Sequence, residues 1–267
     1  MNSAKVEPTY LAKKNAHPRD EFITFDEGPH IYTVHGEQGY TSVTTWNHSH
    51  FSEFDKDAIL DGIFKRKKNE DPSYKYYNMT REQIEEQWEK NRIESSEAGT
   101  QTHYNVERFY NNMDVSDNSI EYQYFRNFRD DNLNLEAYRT EWCVYHEELK
   151  LSGSIDMVFR DTNTGEFMIY DWKRSKEISF ENRYGQTAKT KCIRHMEDCN
   201  YSHYSLQLNV YRRILQEKYD MKITKLALVV LHPDNLNENY EVIEVPLLDK
   251  EIEDLWEYRK QQVNDSQ

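Results

Sequence analysis

Apolar and polar positions alternate along much of this chain, and the period changes often enough to divide it into short elements. Phe22-Ile23-Thr24-Phe25 and His30-Ile31-Tyr32-Thr33-Val34 read as strands, followed by a turn at His35–Gly39 and a further strand at Ser42-Val43-Thr44. Phe51–Lys67 reads as a helix with a basic end, and Glu70–Asn78 as a polar loop containing a proline. Thr80-Arg81-Glu82-Gln83 matches a capping box that opens a helix carrying Ile84 and Trp88. Ser95 or Ser96 is placed to cap a separate helix, about Glu97 to Asn111, and Glu121–Asn132 continues the helical pattern.

The period then shortens to two. Glu141–Tyr145, Leu151–Arg160 and Phe167–Lys173 read as strands, the last two joined by the turn Asp161-Thr162-Asn163-Thr164-Gly165. In the second strand Ile155, Met157 and Phe159 alternate with Asp156, Val158 and Arg160, which predicts one shared face for the first three. A long helix over Tyr201–Lys218, strands at Ile223–Leu231 and Tyr240–Val245 and a helix at Asp249–Gln262 complete the pattern. From residue 96 the order is α-β-β-β-α-β-β-α, an α/β chain with a mixed sheet between helices. The expected organisation is a loosely ordered leader over 1–20 and one domain over 21–267. Within that domain, 50–135 forms a helical wall or arch, 136–246 the core and 247–267 a terminal helix.

Composition adds little to the fold but narrows the setting. With 267 residues, 37% hydrophobic and 31% charged, the chain is long enough to bury a core, and 20 Tyr with 11 Phe argue against disorder. No apolar run reaches membrane-span length, and Met1–His17 lacks the apolar stretch of a secretory signal. Three cysteines, Cys143, Cys192 and Cys199, make no disulfide framework and point to a reducing, intracellular compartment, cytoplasm or nucleus. Cys192, His195, Cys199 and His203 have spacings suggestive of zinc, but ligands rising 1.5 Å per residue along one helix cannot surround one ion.

The candidate chemistry lies in Gly153-Ser154-Ile155-Asp156 and Tyr170-Asp171-Trp172-Lys173. Antiparallel pairing across the hairpin brings Asp156 and Asp171 to one end of a sheet, and Lys173 emerges on the same face as Asp171. Carboxylates are hard ligands for Mg²⁺ or Mn²⁺, and an adjacent ammonium can orient water or stabilise developing charge on phosphate. That set points to a metal-dependent nuclease. The alternative is a surface salt bridge between Asp171 and Lys173. His103 and Glu107 share a helix face one turn after Gly99, and His203, Gln207 and Tyr211 form an i, i+4, i+8 polar stripe.

The net charge of −14 opposes general nucleic-acid binding, so contact is expected to be confined to a groove. Basic groups suited to it are Lys65-Arg66-Lys67-Lys68, Arg174 with Lys176, the set Lys189, Lys191 and Arg194, and Arg212-Arg213.

His103 in G-T-x-x-H, Asp156 in G-S-I-D, Asp171 and Lys173 in Y-D-W-K, and Gln207 with Tyr211 in Q-L-N-V-Y together resemble the RecB-like branch of the PD-(D/E)XK nucleases. That branch includes lambda-type phage exonucleases, and the segment H-I-Y-T-V…S-V-T-T is similar to the lead-in of members from phages and large DNA viruses. The resemblance covers roughly residues 96–246. It implies a restriction-endonuclease-like αβββαβ core and a Mg²⁺- or Mn²⁺-dependent DNase of DNA repair or recombination type, acting on DNA ends or single strands. His103, Asp156, Asp171 and the Trp172 carbonyl would be metal ligands, with Glu141 at a frequently acidic position. Lys173 would orient water, and Gln207 and Tyr211 would contact the DNA backbone or steady Lys173. Lys65–Lys68, Arg174, Lys176 and His203 would contact DNA. The cluster-binding members use one cysteine before the core and three after it; with none before Cys143, no iron–sulfur cluster is expected. Two other readings stand beside the exonuclease: a structure-specific endonuclease of the same fold, and a non-catalytic nucleic-acid-binding protein that kept it.

Overall fold

The computed structural model describes residues 8–265. Short helix α1 (Tyr10–Lys14) leads to a hairpin of β1 (Ile23–Asp26) and β2 (Ile31–Val34), then β3 (Thr41–Ser42) and α2 (Val43–His48). Helices α3 (Lys56–Lys65), α4 (Arg81–Tyr110) and α5 (Ile120–Asp131) follow. Strands β4 (Leu135–His146), β5 (Leu151–Asp161) and β6 (Phe167–Lys173) precede α6 (Asn200–Lys218), β7 (Ile223–Val230), β8 (Glu241–Val245) and α7 (Asp249–Asp265). Among the described residues no helix is long and apolar enough to cross a membrane.

Strands β3 to β8 build one mixed sheet. Strand β5 pairs antiparallel with β4 along its length; on its other side it meets β3 in parallel and β6 antiparallel. Strand β6 then runs parallel to β7, which pairs antiparallel with β8. Both faces are covered. One buries Val158, Ile169 and Leu228 against Leu206, Val210 and Ile214 of α6 and Leu255 and Trp256 of α7. The other buries Phe159, Tyr170, Trp172 and Val229 against Val106 of α4 and Phe125 and Phe128 of α5. The fold is therefore α/β, with a mixed sheet between helices, as the alternating pattern predicted.

Several elements differ from the sequence reading. Val43 and Thr44 are helical rather than extended, because the Ser42 hydroxyl caps α2 by accepting from Thr45 N at 3.0 Å. Residues 51–55 are not helical; Asp55 caps α3 through Ala58 N at 2.8 Å, so the helix begins at Lys56. The capping box at Thr80 and Gln83 is present, but Ser95 and Ser96 start no new helix: α4 is continuous over 30 residues. Strand β4 begins six residues before the expected strand, its pattern masked by Arg139, which is buried and paired with Asp20 at 2.6 Å.

Residues 10–20 are anchored rather than loosely held. Leu11 is 3% exposed, its N–H donates to Asn111 Oδ1 at 2.9 Å, and Arg139 donates to Asn15 O at 3.1 Å. The first seven residues of the expected leader lie outside the described residues.

Candidate metal centre

The centre forms where β5 and β6 part. Their ladder runs from Arg160↔Phe167 to Met157↔Tyr170 and stops, while β3 meets β5 again only at Leu151 and Ser152. Gly153–Asp156 thus lacks a ladder partner on that side. Ile155 packs in the α6-side core, whereas Met157 and Phe159 pack in the α5-side core. Residues two apart on a regular strand share a face, so β5 changes face at Asp156, correcting the expectation that all three share one. The turned-in Asp156 carboxylate takes the place of a ladder acceptor: its Oδ2 accepts from Trp172 N at 3.0 Å. Across on β4, Glu141 has φ +41°, a left-handed conformation that costs a non-glycine residue of order 1 kcal/mol or more and aims its side chain at the same spot.

Helix α4 completes the group. His103 Nδ1 lies 3.5 Å from Asp156 Oδ2 and 3.6 Å from Glu141 Oε1. Its Nε2 is 2.9 Å from the Trp172 carbonyl; a carbonyl only accepts, so Nε2 carries the hydrogen and Nδ1 faces the carboxylates. One donor atom each from His103, Glu141 and Asp156 lie within 4.8 Å of one another, and among the described residues no other such group occurs. The Trp172 carbonyl, expected as a ligand, lies at the centre and orients the histidine through this hydrogen bond. Ser154 donates to Glu141 Oε2 at 3.0 Å and fixes that carboxylate.

Asp171 and Lys173 emerge together toward α6, as the two-residue spacing predicted. They form an ion pair, buried rather than at the surface, with side-chain exposures of 4% and 17%. Asp171 stands outside the three-donor group but adjoins it. Its Oδ2 touches the ammonium yet has no aligned hydrogen bond. The Lys173 ammonium lies 4.5 Å from the ring centre of Tyr204, a residue the sequence reading did not single out. Tyr204 precedes Gln207 by three on α6, but nothing distinguishes it from any other helical tyrosine until the sheet partner is known.

Charge explains the electrostatics. Burial disfavours the imidazolium of His103, but Asp156 and Glu141 outweigh it and raise the pKa to about 9. Burial, then Asp156, raises the Asp171 carboxyl to about 6 despite Lys173. Burial and Glu141 push Asp156 up, against the pull of His103. Burial works against the Lys173 ammonium, yet Asp171 and Asp156 raise its pKa, so it stays charged at neutral pH.

Other sequence-predicted residues take different places. Tyr211 is 3% exposed and packs beneath β5, with Gln207 as its hydrogen-bonding neighbour, so it cannot touch a DNA backbone. A Cβ on Gly153 would sit 2.5 Å from the Tyr211 hydroxyl, which is why glycine stands there. His203 hydrogen-bonds Asp198 at 2.9 Å and stacks 4.0 Å from Phe51, bracing the loop rather than facing outward. Arg174 is paired with largely buried Glu121 at 2.7 Å, and Lys176 with Asp234 at 2.8 Å. Lys65–Lys68 are exposed but remote: they lie at the start of α4, where Ile84 and His103 stand about 28 Å apart along the axis. Cys192 and Cys199 remain free thiols, and His195 pairs with Glu251 at 3.0 Å.

No protein-family model and no curated protein matches the chain.

Proposed function

We propose that this protein is a metal-dependent deoxyribonuclease that hydrolyses DNA phosphodiester bonds, acting as an exonuclease on DNA ends or single strands. The observation that carries the reading is the convergence of His103, Glu141 and Asp156 on one point beside the buried Asp171–Lys173 pair. The donors fit a divalent cation. Once an ion displaces the proton that Asp156 and Glu141 stabilise on His103, three carboxylates against one ammonium leave two negative charges in a largely buried centre, which one divalent ion balances. Oxygen donors with a single imidazole suit Mg²⁺ or Mn²⁺. The α-β-β-β-α-β order and the motifs shared with the PD-(D/E)XK nucleases support the same reading.

His103, Glu141 and Asp156 would hold the ion, with Asp171 the neighbouring carboxylate. A bound Mg²⁺ or Mn²⁺ supplies Lewis acidity toward a phosphate oxygen and a water of lowered pKa. The chain supplies placement. Trp172 O holds His103 through Nε2–H, Ser154 holds Glu141, and Trp172 N holds Asp156. Lys173, kept protonated by Asp171 and Asp156, serves as a cationic donor that orients water and offsets charge on phosphate. It is not a general base, because at neutral pH it has no free electron pair.

The test is cleavage of end-labelled single- and double-stranded DNA, linear against circular, in Mg²⁺, Mn²⁺ or EDTA, beside Lys173→Ala. Metal-dependent loss of linear DNA, absent in the variant and sparing circles, is expected. Cut circles would move the assignment to an endonuclease of the same fold. No cleavage with either metal would overturn the enzyme reading and leave a nucleic-acid-binding protein.

A further inference from the structure

Helix α4 does two separate jobs along its length. Its C-terminal third is embedded, with Thr102, Asn105 and Val106 buried and His103 at the metal centre. Every residue from Glu89 to Glu97 is exposed, so more than two turns of the helix stand in solvent. A helix polar all round in a folded protein is a solvated bridge between two bodies, here steadied by pairs such as Arg92–Glu89 at 2.7 Å.

The far body is a knob with a small core of its own. Leu60, Ile63, Tyr76 and Ile84 form its own buried cluster, and Arg81 ties α4 to Asp57 and Asp61 of α3. The Trp88 indole donates to the Tyr76 hydroxyl from the shaft side. On the knob the chain turns through Lys67 at φ +52° and displays Lys65, Arg66, Lys67 and Lys68, all exposed. Among the described residues neither Lys65 nor Arg66 has an ion-pair partner, while Lys67 has only the exposed Glu70 at 3.7 Å. In a chain of net charge −14, four successive cations held away from the body on a stiff rod form a contact point for an anion that other parts repel.

We propose that the knob is a distal clamp for the phosphate backbone of a nucleic-acid duplex that extends from the metal centre, with Lys65 and Arg66 as its contacts. This inference rests on the nuclease reading for the location of the scissile end. One helix carries both His103 and the knob, so the rise of the helix fixes their separation at about 30 Å. That distance corresponds to about nine phosphates along one strand of duplex. The knob therefore acts as a ruler: duplexes too short to span it gain nothing from it, and longer ones gain two phosphate contacts.

The test is fluorescence anisotropy of 6-base-pair and 24-base-pair duplexes in EDTA, with wild type and Lys65→Gln/Arg66→Gln, alongside thermal melts. The double variant is expected to bind the long duplex about tenfold more weakly, with the slope of log K against log[salt] reduced by about 2. Binding of the short duplex should be the same in both proteins, as should the melting temperature. Equal weakening on both lengths, or none on the long one, would overturn the clamp. Cleavage is scored separately: an active wild type whose variant keeps full long-duplex affinity refutes the clamp alone. A length-dependent loss in a protein that never cleaves refutes the nuclease reading alone.

Discussion

Replacing Gly153 with alanine probes the packing that sets the centre from below. The new Cβ would lie 2.5 Å from Tyr211 Oη, 2.8 Å from Cε1 and 3.1 Å from Cζ, against an ordinary carbon contact of about 3.5–4.0 Å. The ring would have to retreat by about 1 Å. It has little room, being 3% exposed and enclosed in the α6-side core. Overpacking of this kind costs about 1–3 kcal/mol, less up to about 1 kcal/mol regained from the stiffer unfolded chain, since Gly153 does not use a positive φ. Gly153→Ala is therefore expected to lose about 1–2 kcal/mol in urea unfolding. The fluorescence of the fully buried Trp46, Trp142, Trp172 and Trp256 reports the transition. In a Tyr211→Phe background the closest contact disappears, but the Cε1 contact at 2.8 Å remains, so the alanine should cost less without becoming neutral. An unchanged midpoint for Gly153→Ala, or the same loss in both backgrounds, would refute the steric argument.

Two further outcomes follow from single side chains. His50 is 1% exposed, and burial, then Arg259 and Lys189, lower its pKa to about 4. The unfolded chain titrates near 6.5, so the stability this neutral ring protects is fully present above pH 6.5. It is lost as pH falls toward 4, by up to about 3 kcal/mol. Urea midpoints at pH 7.5 and 5 should differ more in wild type than in His50→Gln; equal pH dependence would contradict this. Ser154→Ala removes the hydroxyl that holds strained Glu141, and Mn²⁺ affinity measured by calorimetry should fall about tenfold, with Ser154→Thr close to wild type. An alanine variant with wild-type affinity would show that Glu141 needs no such support.

Most of the sheet and the later helices were legible because period-two and period-3.6 runs survive wherever one face is buried. Strand β6, buried on both faces, was legible instead as a short apolar run after a turn, and the Asp171–Lys173 spacing followed from its being a strand. Elsewhere a local device outweighs the pattern. Ser42 turns a β-branched run into a helix, and Asp20 lets Arg139 sit inside a strand. Helix α4 ran on through Ser95 and Ser96 because a solvated shaft has no face on which a pattern could mark an end. At the centre, Asp156 and Lys173 were visible as motif residues. The change of face at Asp156, the positive φ of Glu141 and the approach of Tyr204 depend on three-dimensional pairing, which no spacing encodes. Tyr211 shows the opposite error: its polar stripe suggested an outward face, but Gly153 opposite it makes room for burial.

On the proposed mechanism, hydrolysis depends on an ion held at Asp156. Titrating Mn²⁺ into single-turnover cleavage of linear DNA by wild type and Asp156→Asn measures that dependence. The rate is expected to saturate with Mn²⁺ in wild type and to stay at least about 100-fold lower in the variant at every concentration. Equal saturating rates for the two proteins, or a wild-type rate indifferent to Mn²⁺ and EDTA, would contradict it.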